Sequence, residues 1–193
     1  MTKSEKTRQF IIEQSAAIIN KKGVAGTSIS DLMEATNLAK GGIYGNFESK
    51  EEICLEAFNY LTGKVSSGLN QAISGNGTAQ EKLFALLDYY LNNVAPGNLG
   101  GCPLLNFGTE ADDTNPELRQ RVAKSIKTSQ QRISRLVEEG KAAGEFNKRV
   151  DADLFAVKMF TMVEGAIFTS RIMNSKATMK TIVDILKKEI ESF

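Results

Sequence analysis

Residues 27–50 constrain the fold most, because they encode two short helices joined by a turn. Thr27 and Ser28 carry short hydroxyl side chains that accept hydrogen bonds from the unpaired N–H groups of a helix start, and Asp31 adds favourable charge to the first turn. The pattern predicts a helix that begins near Ser28 and ends before Asn37, a residue that prefers turns. The i, i+3, i+4 spacing of its buried face is that of Ile29, Leu32 and Met33.

A second short helix is predicted from about Leu38 to Tyr44. Lys40, Gly41 and Gly42 lie on a face of this helix that has no apolar reason to be buried. Each glycine destabilises a helix by roughly 1 kcal/mol relative to alanine, so the pair indicates a need for close approach to another molecule. A DNA backbone is such a molecule, and two short helices joined by a turn are typical of a helix-turn-helix DNA reader.

The order of residues in this stretch resembles the signature of the TetR (tetracycline-repressor-like) family of transcriptional regulators. The resemblance is dense over residues 8–55 and weaker beyond, and it rests on Gly23, the predicted Thr27 cap, the run Leu38-Ala39-Lys40-Gly41-Gly42-Ile43-Tyr44, Phe47 and the run Ser49-Lys50-Glu51. In that family the second helix enters the major groove of DNA. The resemblance therefore implies an operator-facing surface made of Ala39, Lys40, Gly41 and Tyr44.

Two positions depart from the usual family pattern, because Asn46 stands where histidine is common and Gly45 where a larger residue is frequent. An asparagine amide still donates a hydrogen bond to a phosphate. A lysine at position 50 and a phenol at position 44 also suit phosphate contacts better than base contacts. The complete predicted DNA-binding set is Thr27, Ser28, Ala39, Lys40, Gly41, Gly42, Tyr44, Asn46 and Lys50.

The charge of the chain is close to balanced, with 24 basic and 23 acidic residues among 193. Such a balance argues against nucleic-acid binding spread over the whole surface. Before Phe47, however, the chain has six basic and four acidic residues. This small positive excess predicts DNA binding that depends on a dimer, which doubles the basic surface. Lys3, Lys6 and Arg8 read equally well as a solvated face or as phosphate contacts.

The chain contains no histidine and no tryptophan, and its only cysteines are Cys54 and Cys102. Missing histidine excludes Ser-His-Asp and Cys-His catalysis, histidine zinc sites and histidine pH switches. Asp112 and Asp113 could ligate a metal, but electrostatics at a helix end explains them adequately. We expect no enzyme activity, no cofactor and no metal. The absence of a signal peptide or membrane-spanning run makes a reducing cytoplasm the simplest setting.

No segment alternates like a strand, so we expect an all-α protein. Residues 1–49 are predicted to form a three-helix DNA-binding domain, and residues 50–193 a helical effector-binding and dimerisation domain. Gly97–Gly101 reads as a loop. Residues 151–173 are apolar around much of a helix, which must then be covered on two sides. A partner subunit is the expected cover on one side, and the resemblance also implies a homodimer formed through the last two helices.

A small-molecule effector is expected among the middle helices. The predicted apolar lining is Leu86, Tyr90, Leu105, Phe107, Ile126 and Phe168, with polar contacts from Asn106, Glu110 and Glu164. These aromatic and aliphatic residues are equally explained as ordinary core. Glu164 is a more specific candidate than these apolar residues, because a buried carboxylate without a partner costs several kcal/mol. Its partner is expected to be either a polar or cationic ligand group or one of Arg171, Arg132 and Lys127.

These features favour a ligand-responsive, homodimeric transcriptional regulator, most simply a repressor, that binds a palindromic operator and is released by a small-molecule effector. A ligand seated beside the long helix at residues 51–72 would tilt it and change the spacing of the two DNA readers. An all-helical enzyme is the first alternative, but no nucleophile and base pair stands out. A helical adaptor is the second, and it leaves residues 27–50 unexplained.

Overall fold

The computed structural model describes residues 2–95 and 100–193. The expected loop at Gly97–Gly101 therefore lies partly outside the described residues, which resume at Gly100. Nine α-helices and one π-helical turn make up the regular structure of the described residues, and no strand occurs among them. The predicted all-α fold is confirmed. None of the described helices is long and apolar enough to cross a membrane.

The chain forms two compact units. The first comprises Met1–Lys64 with Pro103–Val122. It contains helices α1 (Lys3–Lys22), α2 (Ile29–Thr36) and α3 (Lys40–Tyr44), the first part of α4 (Lys50–Ala72), α6 (Pro103–Ala111) and the start of α7 (Pro116–Ala143). Its core is built from aliphatic and aromatic side chains that are almost fully buried, among them Ile11, Ile19, Leu32, Ile43, Phe47, Ile53, Phe58 and Phe107.

The second unit comprises Val65–Cys102 with Ala123–Phe193. It holds the rest of α4 and α7, helix α5 (Ala79–Tyr89), the π-helical turn Tyr90–Val94, α8 (Ala152–Ile172) and α9 (Ala177–Ile190). Helix α9 packs against both α8 and α5. Buried side chains from these helices form the second core, among them Leu83, Leu87, Ile133, Val137, Met159, Ile167, Val183 and Leu186.

The predicted domain boundary between residues 49 and 50 coincides with the start of α4, and it stays a prediction. The first unit continues through α4 as far as Lys64 and also takes in α6. A boundary read from linear sequence does not anticipate this arrangement, because α6 reaches the first unit only through the tertiary fold.

Capping boxes fix the starts of three helices. Thr2 and Glu5 satisfy each other's backbone N–H groups and start α1 at Lys3. Ser28 with Asp31 does the same for α2, and Thr78 with Glu81 for α5. The predicted cap at Ser28 is confirmed.

The proposed cap at Thr27 is wrong. Its side chain is 1% exposed, and its hydroxyl donates to the carbonyl oxygen of Gly23 at 2.6 Å instead of accepting from α2. The hydroxyl therefore closes the loop between α1 and α2. This geometry also removes the Thr27 side chain from the surface that DNA could contact.

Candidate functional site

Helix α3 has a polar, exposed face and is held in the core by one buried side chain. Ile43 is completely buried, whereas Lys40, Gly41, Gly42 and Tyr44 are exposed. The Lys40 ammonium lies 5.8 Å from the centre of the Tyr44 ring, a cation–π distance. A cation and a phenol thus stand together on a surface free to meet a partner.

Packing within the chain does not explain Gly41. Its φ angle is not positive, and a Cβ atom added there would meet nothing within 4 Å. At Gly42 the nearest neighbour of such an atom would be Leu38 at 3.6 Å, an ordinary contact. Alanine would therefore fit both positions and favour the helix. The absence of a side chain at these positions suits the approach of another molecule.

The turn before α3 depends on Asn37. This residue ends α2 with φ 52° and ψ 35°, the left-handed conformation that asparagine tolerates better than most residues. Thr36 donates its hydroxyl to the carbonyl oxygen of Leu32 at 2.7 Å. Together they set the direction in which the chain enters α3.

Asn46 holds the end of α3. Its amide donates to the carbonyl oxygen of Gly42 at 2.9 Å. The carbonyl oxygen of Asn46 accepts from Arg8 at 2.7 Å, while the same guanidinium stacks 4.1 Å from the Phe47 ring centre and pairs with Glu52 at 2.7 Å. Arg8 is thus a structural residue, neither a simple solvated side chain nor a free phosphate donor. The predicted phosphate contact of Asn46 uses an amide that already has a partner.

A clamp of two charged side chains holds the loop between α1 and α2. The Glu110 carboxylate of α6 accepts from the backbone N–H groups of Val24 and Ala25, both at 2.9 Å. The Lys50 ammonium of α4 donates to the carbonyl oxygens of Val24 and Thr27, also at 2.9 Å. We call these four contacts the loop clamp.

The loop clamp changes the interpretation of its two charged members. The Lys50 ammonium donates two hydrogen bonds to backbone carbonyl oxygens. The structure therefore gives Lys50 a role in fixing the loop, which differs from the phosphate contact expected of it. Glu110 was expected at an effector, but its carboxylate is engaged with the loop that precedes α2. Gly23 belongs to the same arrangement, because its φ is 83° and an added Cβ would overlap Oε1 of Glu110.

Two further residues of the predicted effector pocket also fasten α6 within the first unit. Asn106 donates to the carbonyl oxygen of Asn20 at 2.9 Å and to its side-chain oxygen at 3.1 Å. Phe107 is 1% exposed and packs on Phe58 with ring centres 5.4 Å apart. These contacts give Asn106 and Phe107 structural roles, and the expectation that both line an effector pocket stays a prediction. Leu105, on the same helix, is half-buried.

The remaining predicted effector residues belong to the second unit. Leu86 and Tyr90 are buried, and Ile126 is half-buried. Phe168 is 53% exposed on the outer face of α8, so it does not line an interior pocket. The structure thus leaves Tyr90 and Glu164 as the polar members of the predicted set that meet inside this unit.

Among the described residues, one carboxylate oxygen of Glu164 accepts a hydrogen bond and the other accepts none. The Cys102 thiol donates to Oε1 of Glu164 at 3.2 Å. Oε2 is buried and has no hydrogen-bond partner in the part of the chain that the structure describes. Within the described residues Glu164 forms no ion pair, so none of the expected basic partners Arg171, Arg132 and Lys127 is in place. Arg132 instead donates to the hydroxyl of Ser66 at 2.7 Å.

Burial sets the electrostatics of this cluster. Desolvation raises the pKa of Glu164 from 4.5 to about 7, against the opposing effect of the Cys102 hydrogen bond. Burial also raises the pKa of Tyr90, and the nearby charge of Glu164 raises it further. Cys102 lies 62 residues before Glu164, and no local pattern in the sequence indicates that they meet.

Comparison with known proteins gives the family. Residues 11–57 match the model described as bacterial regulatory proteins, tetR family, and residues 79–186 match that of the tetracyclin repressor-like C-terminal domain. The chain belongs to the TetR family. The predicted family, the helix-turn-helix DNA-binding unit and the regulatory class are thereby confirmed.

Several relatives are similar to this TetR-family chain along most of its length. A TetR-family regulator from Cytophaga hutchinsonii is 40% identical, with 100% of this chain and 97% of that chain covered and a TM-score of 0.93. A TetR regulator from Chloroflexus aurantiacus is also 40% identical, with coverages of 98% and 96% and a TM-score of 0.93. The transcriptional repressor DhaR of Mycobacterium sp. strain GP1 is 22% identical over 93% of this chain and 89% of its own length.

Like its relatives, this TetR-family chain is a transcriptional regulator.

Several large apolar side chains of the second unit are exposed and belong to neither hydrophobic core. Helix α8 exposes large apolar side chains at Leu154 (67% exposed), Val157 (48%), Phe168 (53%) and Ile172 (70%), and α9 exposes Ile185 (46%). We call these five residues the apolar strip.

Proposed function

We propose that the chain is a homodimeric repressor that binds a palindromic operator through α3 and is released by a small-molecule effector. The observation that carries the proposal is the exposed face of α3, where Gly41 and Gly42 have no structural reason to be glycine. Lys40 and Tyr44 flank this face and supply a cation and a hydroxyl for phosphates.

The apolar strip supports dimerisation. Its members on α8 follow one another at spacings of 3, 11 and 4 residues, each close to a whole number of helical turns, so they share one face of the helix. Exposed apolar side chains that adjoin one another in this way mark protein interfaces more often than ordinary surface. A second copy of the chain would cover the strip with the same residues, as a two-fold interface requires.

Dimerisation would supply what a single reader lacks. The basic excess before Phe47 is only two charges, and phosphate neutralisation dominates the affinity of proteins for DNA. Two readers about 34 Å apart, or a small multiple of that distance, would meet major-groove faces of one palindrome and double the number of phosphate contacts. Effector binding in the second unit would act through α4, whose residues belong to both units.

A gel-shift experiment with the DNA upstream of the chain's own gene tests the proposal. The wild type is expected to shift this DNA, and Lys40→Ala with Tyr44→Ala is expected to weaken the shift by tenfold or more. Lys148→Ala is the matched control, because Lys148 is an exposed lysine of the second unit. Equal loss in the control, or no loss in the double variant, would show that α3 is not the reading surface.

A further inference from the structure

The buried carboxylate of Glu164 points to the chemistry of the effector. We infer that Glu164 binds a protonated amine or amidinium group carried on an apolar body. This inference rests on the proposed ligand-responsive function and specifies the ligand class. It does not depend on which operator the regulator reads.

The unfilled acceptor is the first argument. Oε2 of Glu164 is buried and has no hydrogen-bond partner among the described residues. Most buried polar atoms in native proteins are satisfied, so an unsatisfied carboxylate oxygen needs a reason. The chain has cations in the same unit, yet Arg132 is bonded to Ser66, and Arg171 packs against Gly101. A ligand group is the natural occupant of an acceptor that the chain leaves empty.

The groups around Glu164 favour a cationic occupant. Cys102 donates to Oε1, so one oxygen is already satisfied by a neutral donor. Tyr90, on the π-helical turn after α5, is close enough for the charge of Glu164 to raise its pKa. Arg132 of α7 is near enough to Tyr90 for its charge to oppose the rise of the Tyr90 pKa, and it forms no ion pair with Glu164 among the described residues. The second oxygen therefore lacks both a donor and a compensating charge, and a protonated nitrogen supplies both.

The surroundings on α8 favour an apolar ligand body. Phe160 and Ile167 lie four residues before and three residues after Glu164, on the same side of the helix, and both are buried. Val163 and Ala166, one residue before and two residues after Glu164, are also buried but point to other faces of the helix. Ligand sites typically combine such apolar walls with one or two polar groups that fix orientation.

The local backbone is also irregular in the way that binding sites often are. The π-helical turn Tyr90–Val94 continues the chain directly from the end of α5 at Tyr89, and such turns occur frequently at functional sites. Gly100 and Gly101 follow with φ angles of 88° and 106° and lead directly into Cys102. Tyr90 of the π-helical turn and Cys102 of the chain before α6 thus both lie near the Glu164 carboxylate of α8.

Three probes of the same shape test the inference by calorimetry on the full chain at about pH 8. They are 4-phenylbutylamine, which is cationic, 4-phenylbutan-1-ol, which is neutral, and 4-phenylbutyrate, which is anionic. We expect the amine to bind wild type about tenfold more tightly than the alcohol, the ratio that one charge-assisted hydrogen bond commonly supplies. The anion should bind most weakly.

Matched variants locate the preference. In Glu164→Gln, which keeps the shape but removes the charge, the amine and the alcohol should bind alike. Glu164→Asp keeps the charge and should retain part of the preference, which covers the case of a poorly folded glutamine variant. Asp153→Asn, which removes an exposed carboxylate of the same helix, should leave the preference unchanged. Circular dichroism melts confirm that each variant is folded.

The inference is overturned if wild type binds the amine no better than the alcohol, if it binds no amine at millimolar concentration, or if Glu164→Gln keeps the preference. The gel shift separates this failure from failure of the proposed function. Release of operator DNA by the alcohol or the anion alone would keep the ligand-responsive repressor and remove Glu164 as its cation site. Loss of operator binding in the absence of any probe would instead contradict the proposed function.

Discussion

At the scale of single residues, Glu164 should make stability depend on pH. Its folded pKa of about 7 lies above the ordinary value of 4.5, so between these values the folded chain holds a proton that the unfolded chain has released. The free energy of unfolding therefore falls as pH rises through this window, and the full penalty is present above about pH 7. The shift corresponds to about 3 kcal/mol.

Urea denaturation of wild type and Glu164→Gln at pH 4, 6 and 8 measures this effect. The glutamine variant should gain stability relative to wild type as pH rises, with little difference at pH 4 and the largest difference at pH 8. Asp153→Asn serves as the control for loss of a carboxylate on α8. A difference that stays constant over the whole range would mean that Glu164 is not held in a dehydrated site.

Gly23 is the second residue with a sharp expectation. Its φ of 83° strains any L side chain, and a Cβ would overlap the carboxylate of Glu110. Gly23→Ala should destabilise the chain by about 1–3 kcal/mol. At Gly63, an exposed position inside α4, a Cβ would meet nothing within 4 Å, so Gly63→Ala should be neutral or stabilise by up to about 1 kcal/mol. Thermal melts of the two variants should move in different directions.

At the scale of helices, the loop clamp connects α6 with the loop that precedes α2. Glu110→Gln replaces one accepting oxygen with an NH₂ group, so one of the N–H groups of Val24 and Ala25 loses its acceptor. The loss should cost about 1–2 kcal/mol of stability and weaken operator binding, because this loop leads into the DNA reader. Asp112→Asn, an exposed neighbour, is the control. Unchanged stability in Glu110→Gln would mean that the clamp does not hold the loop.

Lys40 and Lys50 should behave differently although both lie in the DNA-binding unit. Lys40 is exposed on α3, whereas the Lys50 ammonium is bonded to two backbone carbonyls. Lys40→Ala should reduce the salt dependence of operator binding by about two counterions per dimer. Lys50→Ala should lower stability and affinity while leaving that slope unchanged. A reduced slope in Lys50→Ala would restore the phosphate contact that the sequence suggests.

At the scale of the whole molecule, the apolar strip should hold two copies together. Phe168→Glu with Ile172→Glu places two charges on adjacent turns of one exposed face, so the like charges of the two protomers would oppose each other at the interface. Light scattering should give the mass of a monomer, and operator affinity should fall with it. Phe10→Glu, which changes a 42% exposed phenylalanine of the first unit, should leave the mass of the dimer unchanged. A dimeric double variant would place the interface elsewhere.

The sequence by itself determined the helical class, the start of α2 and the TetR family. Ser28 and Asp31 form the cap of α2 because their partners lie within three residues, and such contacts follow from residue order alone. The i, i+3, i+4 pattern of α2 correctly marks Leu32 as a core residue, whereas Ile29 and Met33 of the same pattern are only half-buried. The exposure of Lys40 and Tyr44 also follows, since Ile43 is the apolar side chain that α3 buries.

Only the tertiary structure decided which distant groups meet. Glu110 could serve an effector or a loop, and its bonds to Val24 and Ala25, 86 and 85 residues away, select the loop. Glu164 could have paired with an arginine. In the fold its Oε1 accepts from Cys102 instead, and its Oε2 has no hydrogen-bond partner among the described residues. A sequence states which donors and acceptors a chain carries. Their pairing depends on how helices pack, because a hydrogen bond forms only where two groups come within about 3 Å in the folded chain.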